Sequence, residues 1–203
     1  MIQPNQFFSI IVLLFSVVIH EVSHGWAALK LGDDTAEKMG RLTLNPIPHL
    51  DLFGSILLPL ILLITHAGVI FGWAKPVPYN PLKLRKPLRD SALLALAGPA
   101  ANLTLALIFG VLIRLSNHFV LWPQLIPLLS IVVQINLILA IFNLMPIPPL
   151  DGSKILFYFW PSPKLEMFLS QYSFIILLIF IMFGWSLIYP LVALFFYLFT
   201  GFH

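Results

Sequence analysis

The sequence His20-Glu21-Val22-Ser23-His24 carries the residue types and spacing best suited to chemistry in this chain. Residues four apart share one face of an α-helix, so His20 and His24 can direct imidazole nitrogens at a single divalent ion. Glu21 lies about 100° further round the helix, where its carboxylate can reach a metal-bound water. Two histidines in an apolar helix can also be core residues or a hydrogen-bonded pair. The complete pattern, in a chain with six histidines, favours a metal site.

A catalytic zinc site commonly has three protein ligands, and the third is often a carboxylate. Asp51 and Asp151 both border apolar runs, whereas the other acidic residues lie among charged loop residues. Asp151 is preferred, because three prolines between positions 146 and 149 end the preceding apolar run. Unwound backbone at membrane depth is tolerated where it lines a cavity, and it could hold a carboxylate toward a metal. An Asp-Gly turn at the membrane surface is the alternative for this position.

The composition indicates an integral membrane protein. Hydrophobic residues make up 60% of the 203 positions and charged residues only 9%, far from the balance of a soluble domain. The basic residues lie in loops beside apolar runs, as membrane topology requires, so the net charge of +3 does not indicate a nucleic-acid partner. The length predicts a single membrane domain over 1–203. The absence of cysteine excludes thiolate metal ligands.

Five apolar runs must position the candidate ligands, and they predict an all-α polytopic bundle of about four to five spans. The runs cover 7–29, 52–71, 91–115, 125–145 and 173–199. The last could be one kinked span or a span followed by an interfacial helix. Small residues at 97–101 predict close approach of a neighbouring helix.

The polar loop after the first run carries a second set of candidate residues. Residues 41–45 alternate in polarity, which predicts a short strand-like, membrane-associated segment near 41–50. His49 and Asp51 lie two residues apart beside prolines. They either line the entrance of the site or close a turn.

The distribution of basic residues and the number of membrane crossings both favour a re-entrant segment at 52–71. If all five runs crossed the membrane, the His24 and Asp151 ends would lie on opposite faces, and one metal could not easily bind both. With 52–71 re-entrant, ten of the eleven lysines and arginines share one face, and only Arg114 lies opposite. Positive residues concentrate on the cytoplasmic side. This topology predicts a metal site toward the cytoplasm and both termini outside.

Several motifs, taken together, resemble the site-2 protease family of intramembrane zinc metalloproteases. They are His20–His24, Gly98-Pro99-Ala100-Ala101-Asn102, and the stretch from Asn143 to Leu150-Asp151-Gly152. The sequences at 45–51 and 72–78 are similar to the compact prokaryotic branch, which has neither PDZ nor CBS domains. The resemblance covers nearly the whole chain.

The resemblance implies that His20, His24 and Asp151 bind one Zn²⁺ per chain and that Glu21 is the general base. It points to Asn102 and Asn143 as polar residues near the site, which donate to the oxyanion or contact substrate; a helix-packing contact is the alternative for each. The implied partners are the lipid bilayer and a transmembrane protein or peptide substrate. The implied location is a prokaryotic plasma membrane.

Three classes of function follow from these features. The first is an intramembrane endopeptidase, serving regulated proteolysis or clearance of signal-peptide remnants. The second is a metal-binding membrane protein or transporter, which would spread ligands along a path through several spans. The third is an inactive, protease-like scaffold, which would not need Glu21.

Overall fold

The computed structural model describes residues 4–65, 74–119 and 123–202, and within these ranges the chain is helical and contains no strand. The prediction of an all-α protein is confirmed. The α-helices are α1 (Pro4–Leu31), α2 (Thr35–Lys38), α3 (Leu58–Ile64), α4 (Pro87–Phe119), α5 (Ile126–Asn143), α6 (Asp151–Phe159), α7 (Pro163–Gln171), α8 (Ser173–Phe183) and α9 (Trp185–Thr200). Short 3₁₀ turns cover Ile47–His49, Pro81–Lys83 and Pro123–Leu125, and a π-helix covers Leu52–Leu57.

Among the described residues, three helices are long and apolar enough to cross a membrane: α1, α4, and α5 together with its preceding 3₁₀ turn. The helices α7 and α8 meet at a 68° bend, and counting them as one broken span gives four. The protein is therefore an integral membrane protein. Its described residues provide three to four candidate spans, which agrees with the predicted four to five only if the bent pair counts as one span.

Neither the described part of 52–71 nor the segment 173–199 contains a single helix that meets the length for a span. Residues 52–65 of the first segment are described, and 52–64 are helical. The remainder of the predicted re-entrant segment, 66–71, lies outside the described residues. The second segment divides at Gly184 into α8 and α9, of 11 and 16 residues.

The apolar core lies between α4, α5 and α9. Its fully buried members include Ala106 and Ile113 on α4 with Val133 and Leu137 on α5, and Val192 on α9 packs against them. These side chains hold α5 beside α4, and α1 packs on both. The helices that carry the two histidines, Asn102 and Asn143 are thus packed against one another.

The prediction of a strand-like segment near 41–50 is wrong, because no described residue of this segment forms a strand. Thr43 Oγ1 accepts a hydrogen bond from Asn45 N at 3.1 Å, and Asn45 Oδ1 accepts one from Ile47 N at 3.1 Å. The chain then enters the 3₁₀ turn at Ile47–His49. These local bonds to Asn and Thr side chains compete with a strand ladder, which alternating polarity alone does not reveal.

A second irregular stretch, residues 74–80, lies against the same loop. Arg41 Nη2 donates to Lys75 O at 2.9 Å, and Lys75 N donates to His49 O at 2.8 Å. Further along, Asn80 N donates to Asp33 Oδ2 at 2.5 Å. The stretch is therefore fixed over the C-terminal half of α1, where the candidate site lies.

Candidate metal centre

Helix α1 brings His20 and His24 together inside the bundle. Only 5% of His20 and 7% of His24 is exposed. Their rings meet edge to face with centroids 4.6 Å apart, and the two Nε2 atoms are 3.0 Å apart. The i, i+4 spacing therefore places both Nε2 atoms at one point, as the sequence predicts.

Asp151 joins the two histidines from a distant part of the sequence. It is the first residue of α6, and Leu150 before it is extended, with φ −65° and ψ 155°. Asp151 Oδ2 lies 3.2 Å from His20 Nε2 and 3.1 Å from His24 Nε2. The break between α5 and α6 thus turns this carboxylate toward α1.

The three atoms fit a zinc ion. Zn–N and Zn–O bonds of about 2.0–2.1 Å in a tetrahedron give ligand separations of roughly 3.3 Å, close to the 3.0–3.2 Å between these atoms. Within the part of the chain that the structure describes, this is the one group of three such side chains close enough to hold a metal. Three protein ligands leave a coordination position for a reacting molecule, which is the pattern of catalytic zinc.

The opposite nitrogen of each imidazole is also engaged. His24 Nδ1 lies 2.7 Å from Leu94 O, and a backbone carbonyl can only accept, so Nδ1 carries the proton. His20 Nδ1 lies 2.6 Å from Asn102 Oδ1. Hydrogen bonds of this kind fix the ring orientation and leave the Nε2 lone pair for the metal.

Gly98 allows α4 to approach the two imidazoles. A Cβ atom at this position would lie 2.5 Å from His24 Nε2 and 2.6 Å from His20 Nε2. The close helix approach predicted from the small residues at 97–101 is confirmed here. Only a residue without a side chain fits between the α4 backbone and the ligand atoms.

Gly152 has the corresponding role at the α5–α6 corner. A Cβ atom there would overlap the backbone of Leu144 and the carbonyl oxygen of Met145. The start of α6 therefore lies directly against the end of α5. This contact sets the position of Asp151.

Glu21 has a partner outside α1. Its Oε2 accepts a hydrogen bond from Val77 N at 2.8 Å, which ties it to the stretch 74–80. This bond restricts the carboxylate and leaves Oε1 for a water molecule. Neither the residue type nor the spacing of Val77 in the sequence indicates this contact.

Lys154 is a further neighbour of the site that the sequence analysis did not identify. Its Nζ lies 3.6 Å from Asp151 Oδ1, the oxygen turned away from the histidines, and 5.1 Å from the centre of the Tyr79 ring. The i, i+3 spacing from Asp151 on a helix is the signal that could have revealed it. Lys154 attracts Oδ1, so Oδ2 is the oxygen available to a metal.

The remaining predicted residues make local hydrogen bonds. Asn143, the last residue of α5, donates through Nδ2 to Leu139 O at 2.9 Å. His49 is fully buried, and its Nε2 lies 2.9 Å from Thr43 O. Asp51 accepts from Phe53 N at 3.1 Å and from Gly54 N at 2.7 Å, capping the π-helix.

Comparison with known proteins agrees with this geometry. The family model described as peptidase family M50 matches residues 8–122 and 117–183. The "Putative zinc metalloprotease YwhC" of Bacillus subtilis (strain 168) is 42% identical over 179 residues, which cover 84% of this chain and 78% of that protein.

Mycobacterial relatives are more distant and longer. The "Putative zinc metalloprotease Rip2" of Mycolicibacterium smegmatis is 32% identical over 162 residues, which cover 74% of this chain and 58% of that protein. No solved structure matches the chain. The match over most of the chain, together with the HExxH helix and its converging aspartate, shows that the chain belongs to peptidase family M50, the site-2 protease family of zinc metalloproteases.

Proposed function

We propose that this protein hydrolyses peptide bonds in or near transmembrane segments of membrane-anchored proteins, with His20, His24 and Asp151 as the ligands of one Zn²⁺ and Glu21 as general base. The observation that carries the proposal is the convergence of the three ligand atoms, 3.0–3.2 Å apart, two of which belong to α1, the helix that also bears Glu21. The 1–203 chain acts as one domain in this proposal.

The residues divide the chemistry between them. A bound zinc ion supplies Lewis acidity toward a water molecule and a peptide carbonyl. Glu21, oriented by Val77 N–H, accepts a proton from the water and returns it to the leaving amine. The water oxygen first bonds to the carbonyl carbon, and the C–N bond of the resulting tetrahedral species then breaks, so that the products are a carboxylic acid, which ionises, and a free amine. A helical substrate must unwind locally, since its carbonyls are otherwise hydrogen-bonded and shielded.

The two asparagines have different roles in this proposal. Both N–H groups of Asn102 are donated within the bundle, to Ser16 O and Asn136 Oδ1, so we assign this residue to orienting His20 rather than to an oxyanion. Asn143 is half-buried at the end of α5, eight residues before Asp151. We assign Asn143 to contact with the substrate.

The entrance residues are assigned from their local bonds. His49 supports the stretch 74–80 through its carbonyl, which accepts from Lys75 N, and Asp51 caps the helix that begins at Leu52. These contacts favour turn formation at the edge of the site over direct contact with substrate.

The proposed location is the plasma membrane of a prokaryote, with the site in the cytoplasmic half. Ten of eleven basic residues share the face that the re-entrant topology makes cytoplasmic. The contact between Asp151 and His24 supports the same topology. It requires the C-terminal ends of α1 and α5 to lie on the same side of the membrane.

The arrangement of the ligands argues against a transporter. A transport path would distribute acidic and histidine side chains through several spans, whereas this site gathers three ligand atoms within 4.8 Å at one depth. A scaffold would need no general base, and Glu21 is present and oriented.

The test compares wild-type protein with Glu21→Gln in liposomes that contain a single-span substrate. We expect about one zinc per chain in both, with cleavage reduced about 10²- to 10⁴-fold in the variant, the usual contribution of a general base. Glu37→Gln, an exposed glutamate on α2, is the matched control and should cleave like wild type. Equal cleavage in Glu21→Gln contradicts the role of Glu21, and zinc without wild-type cleavage supports the scaffold.

A further inference from the structure

Two polar side chains deep in the apolar bundle, Asn136 on α5 and Ser16 on α1, connect to the metal site through Asn102. Asn136 and Asn102 are fully buried, and Ser16 is 3% exposed. We propose that Asn136, supported by Ser16, is a positioning residue that fixes the tautomer of His20. This inference rests on the proposed metal site.

The orientation of the Asn136 amide follows from its backbone contact. Its Nδ2 donates to Val132 O at 2.9 Å and to Ser16 Oγ at 3.0 Å. A backbone carbonyl accepts and cannot donate, so the nitrogen of this amide must face Val132. The oxygen of Asn136 therefore faces Asn102.

The orientation of Asn102 follows in turn. Its Nδ2 donates to Asn136 Oδ1 at 2.9 Å and to Ser16 O at 3.3 Å. The amide oxygen is thereby turned to His20, 2.6 Å from Nδ1. Since this oxygen can only accept, His20 carries its proton on Nδ1, and the Nε2 lone pair points toward Asp151.

The network is complete, which gives it a single arrangement. All four amide N–H bonds and both amide oxygens of Asn102 and Asn136 have partners. Satisfied polar networks in a low-dielectric interior hold one geometry strongly. The two helices beside α1 thus determine which nitrogen of His20 is free.

Without Asn136, the Asn102 amide would no longer be held in the orientation that presents its oxygen to His20. The Asn102 Nδ2 group would keep only the longer bond, 3.3 Å, to Ser16 O. Its amide could then turn and present N–H groups to His20 Nδ1, which favours a proton on Nε2. That proton would occupy the nitrogen that the metal needs.

The experiment uses the full chain in detergent and three variants. Asn136→Leu removes the amide while keeping the same number and branching of side-chain heavy atoms, and Asn136→Asp keeps an oxygen for Asn102 Nδ2. Gln134→Leu, an exposed amide two residues away on α5, is the matched control. The protonated nitrogen of His20 is read from ¹⁵N-histidine NMR of the zinc-free protein at alkaline pH, where imidazoles are neutral, with His20→Asn for assignment. Zinc affinity is measured by competition with a chelator.

We expect an Nδ1–H signal for His20 in wild type, Asn136→Asp and Gln134→Leu, and a growing Nε2–H population in Asn136→Leu. Zinc affinity should fall about 10-fold in Asn136→Leu and stay within about threefold of wild type in the other two variants. Wild-type affinity in Asn136→Leu, or an Nε2–H signal in wild type, would overturn the inference.

Equal losses of affinity in the Leu and Asp variants, with unchanged His20 signals, would also overturn it, because they would indicate packing alone. Failure of the wild-type protein to bind zinc would count against the proposed function instead. The NMR measurement on zinc-free protein decides the tautomer in that case too.

Discussion

At the scale of single residues, the proposed metal site depends as much on two glycines that have no side chain as on its three proposed ligands. Gly98 allows the α4 backbone to lie against both imidazoles, and any Cβ there would come within 2.6 Å of ring atoms. Leu94 and Asn102, one turn before and after Gly98, accept from the two Nδ1 atoms. One face of α4 therefore supports the ligands from behind.

A methyl group at Gly98 should displace the ligand rings. We expect Gly98→Ala to weaken zinc binding about 10- to 100-fold, the range for a disturbed ligand environment, measured by competition titration. Ala100→Gly changes one methyl group on the exposed side of the same helix and should bind zinc like wild type. Unchanged zinc affinity in Gly98→Ala would contradict the close approach of α4.

At the scale of elements, the corner between α5 and α6 determines whether Asp151 reaches α1. Three prolines within 146–149 end α5, and α6 starts at Asp151 itself. Gly152 then packs on the backbone of Leu144. The corner therefore has no space for even one additional carbon atom.

Gly152→Ala should move the start of α6 and withdraw Asp151. We expect a destabilisation of about 1–3 kcal/mol, as for other overpacked positions, with a loss of zinc affinity close to that of Asp151→Asn. Thermal unfolding and zinc titration check the two effects. A Gly152→Ala protein with wild-type zinc affinity would show that the corner tolerates the shift.

Ion pairs between lysine and aspartate side chains join the loops near the site. Lys38 Nζ lies 2.5 Å from Asp34 Oδ2, and Lys83 Nζ lies 2.6 Å from Asp34 Oδ1. These two hydrogen-bonded cations lower the pKa of Asp34 from 3.8 to about 2. Because the folded-state pKa is lowered, the contacts are complete above pH 3.8 and are lost as the pH falls toward about 2.

Lys83→Met should therefore raise the pKa of Asp34 partway toward its ordinary value, leaving the Lys38 contribution. Carboxyl ¹³C NMR across an acid titration measures this pKa directly. Lys30→Met, which removes an exposed lysine at the end of α1, should leave the Asp34 titration unchanged. A Lys83→Met titration identical to wild type would show that the ion pair is not formed in solution.

At the scale of the whole molecule, helical periodicity predicted that His20 and His24 meet on one face of α1, and the proline cluster pointed to Asp151 as the side chain that joins them. The all-α class followed from composition. Asn136 and Ser16 were not found, because a polar residue within an apolar run shows no spacing that identifies its partner on another helix. The prediction of a strand-like segment failed for a related reason. Alternating polarity over five residues does not reveal that the side chains of Thr43 and Asn45 accept hydrogen bonds from nearby backbone N–H groups.

The topology itself is testable. Reporter fusions at residues 35 and 80 should lie on the same, cytoplasmic, face, because the proposed 52–71 segment enters and leaves on one side. A fusion at residue 118 should lie on the opposite face. Opposite locations for 35 and 80 would rule out the re-entrant topology. They would also contradict the placement of His24 and Asp151 on the same side of the membrane.

The most direct measurement of the central claim is zinc K-edge X-ray absorption on the zinc-loaded protein. The proposed site predicts two imidazole ligands with the remaining neighbours oxygen, unchanged in Glu21→Gln and reduced to one imidazole in His24→Ala. Bond lengths near 2.0–2.1 Å are expected. A spectrum without imidazole, or one that His24→Ala leaves unchanged, would contradict the assignment of zinc to His20, His24 and Asp151.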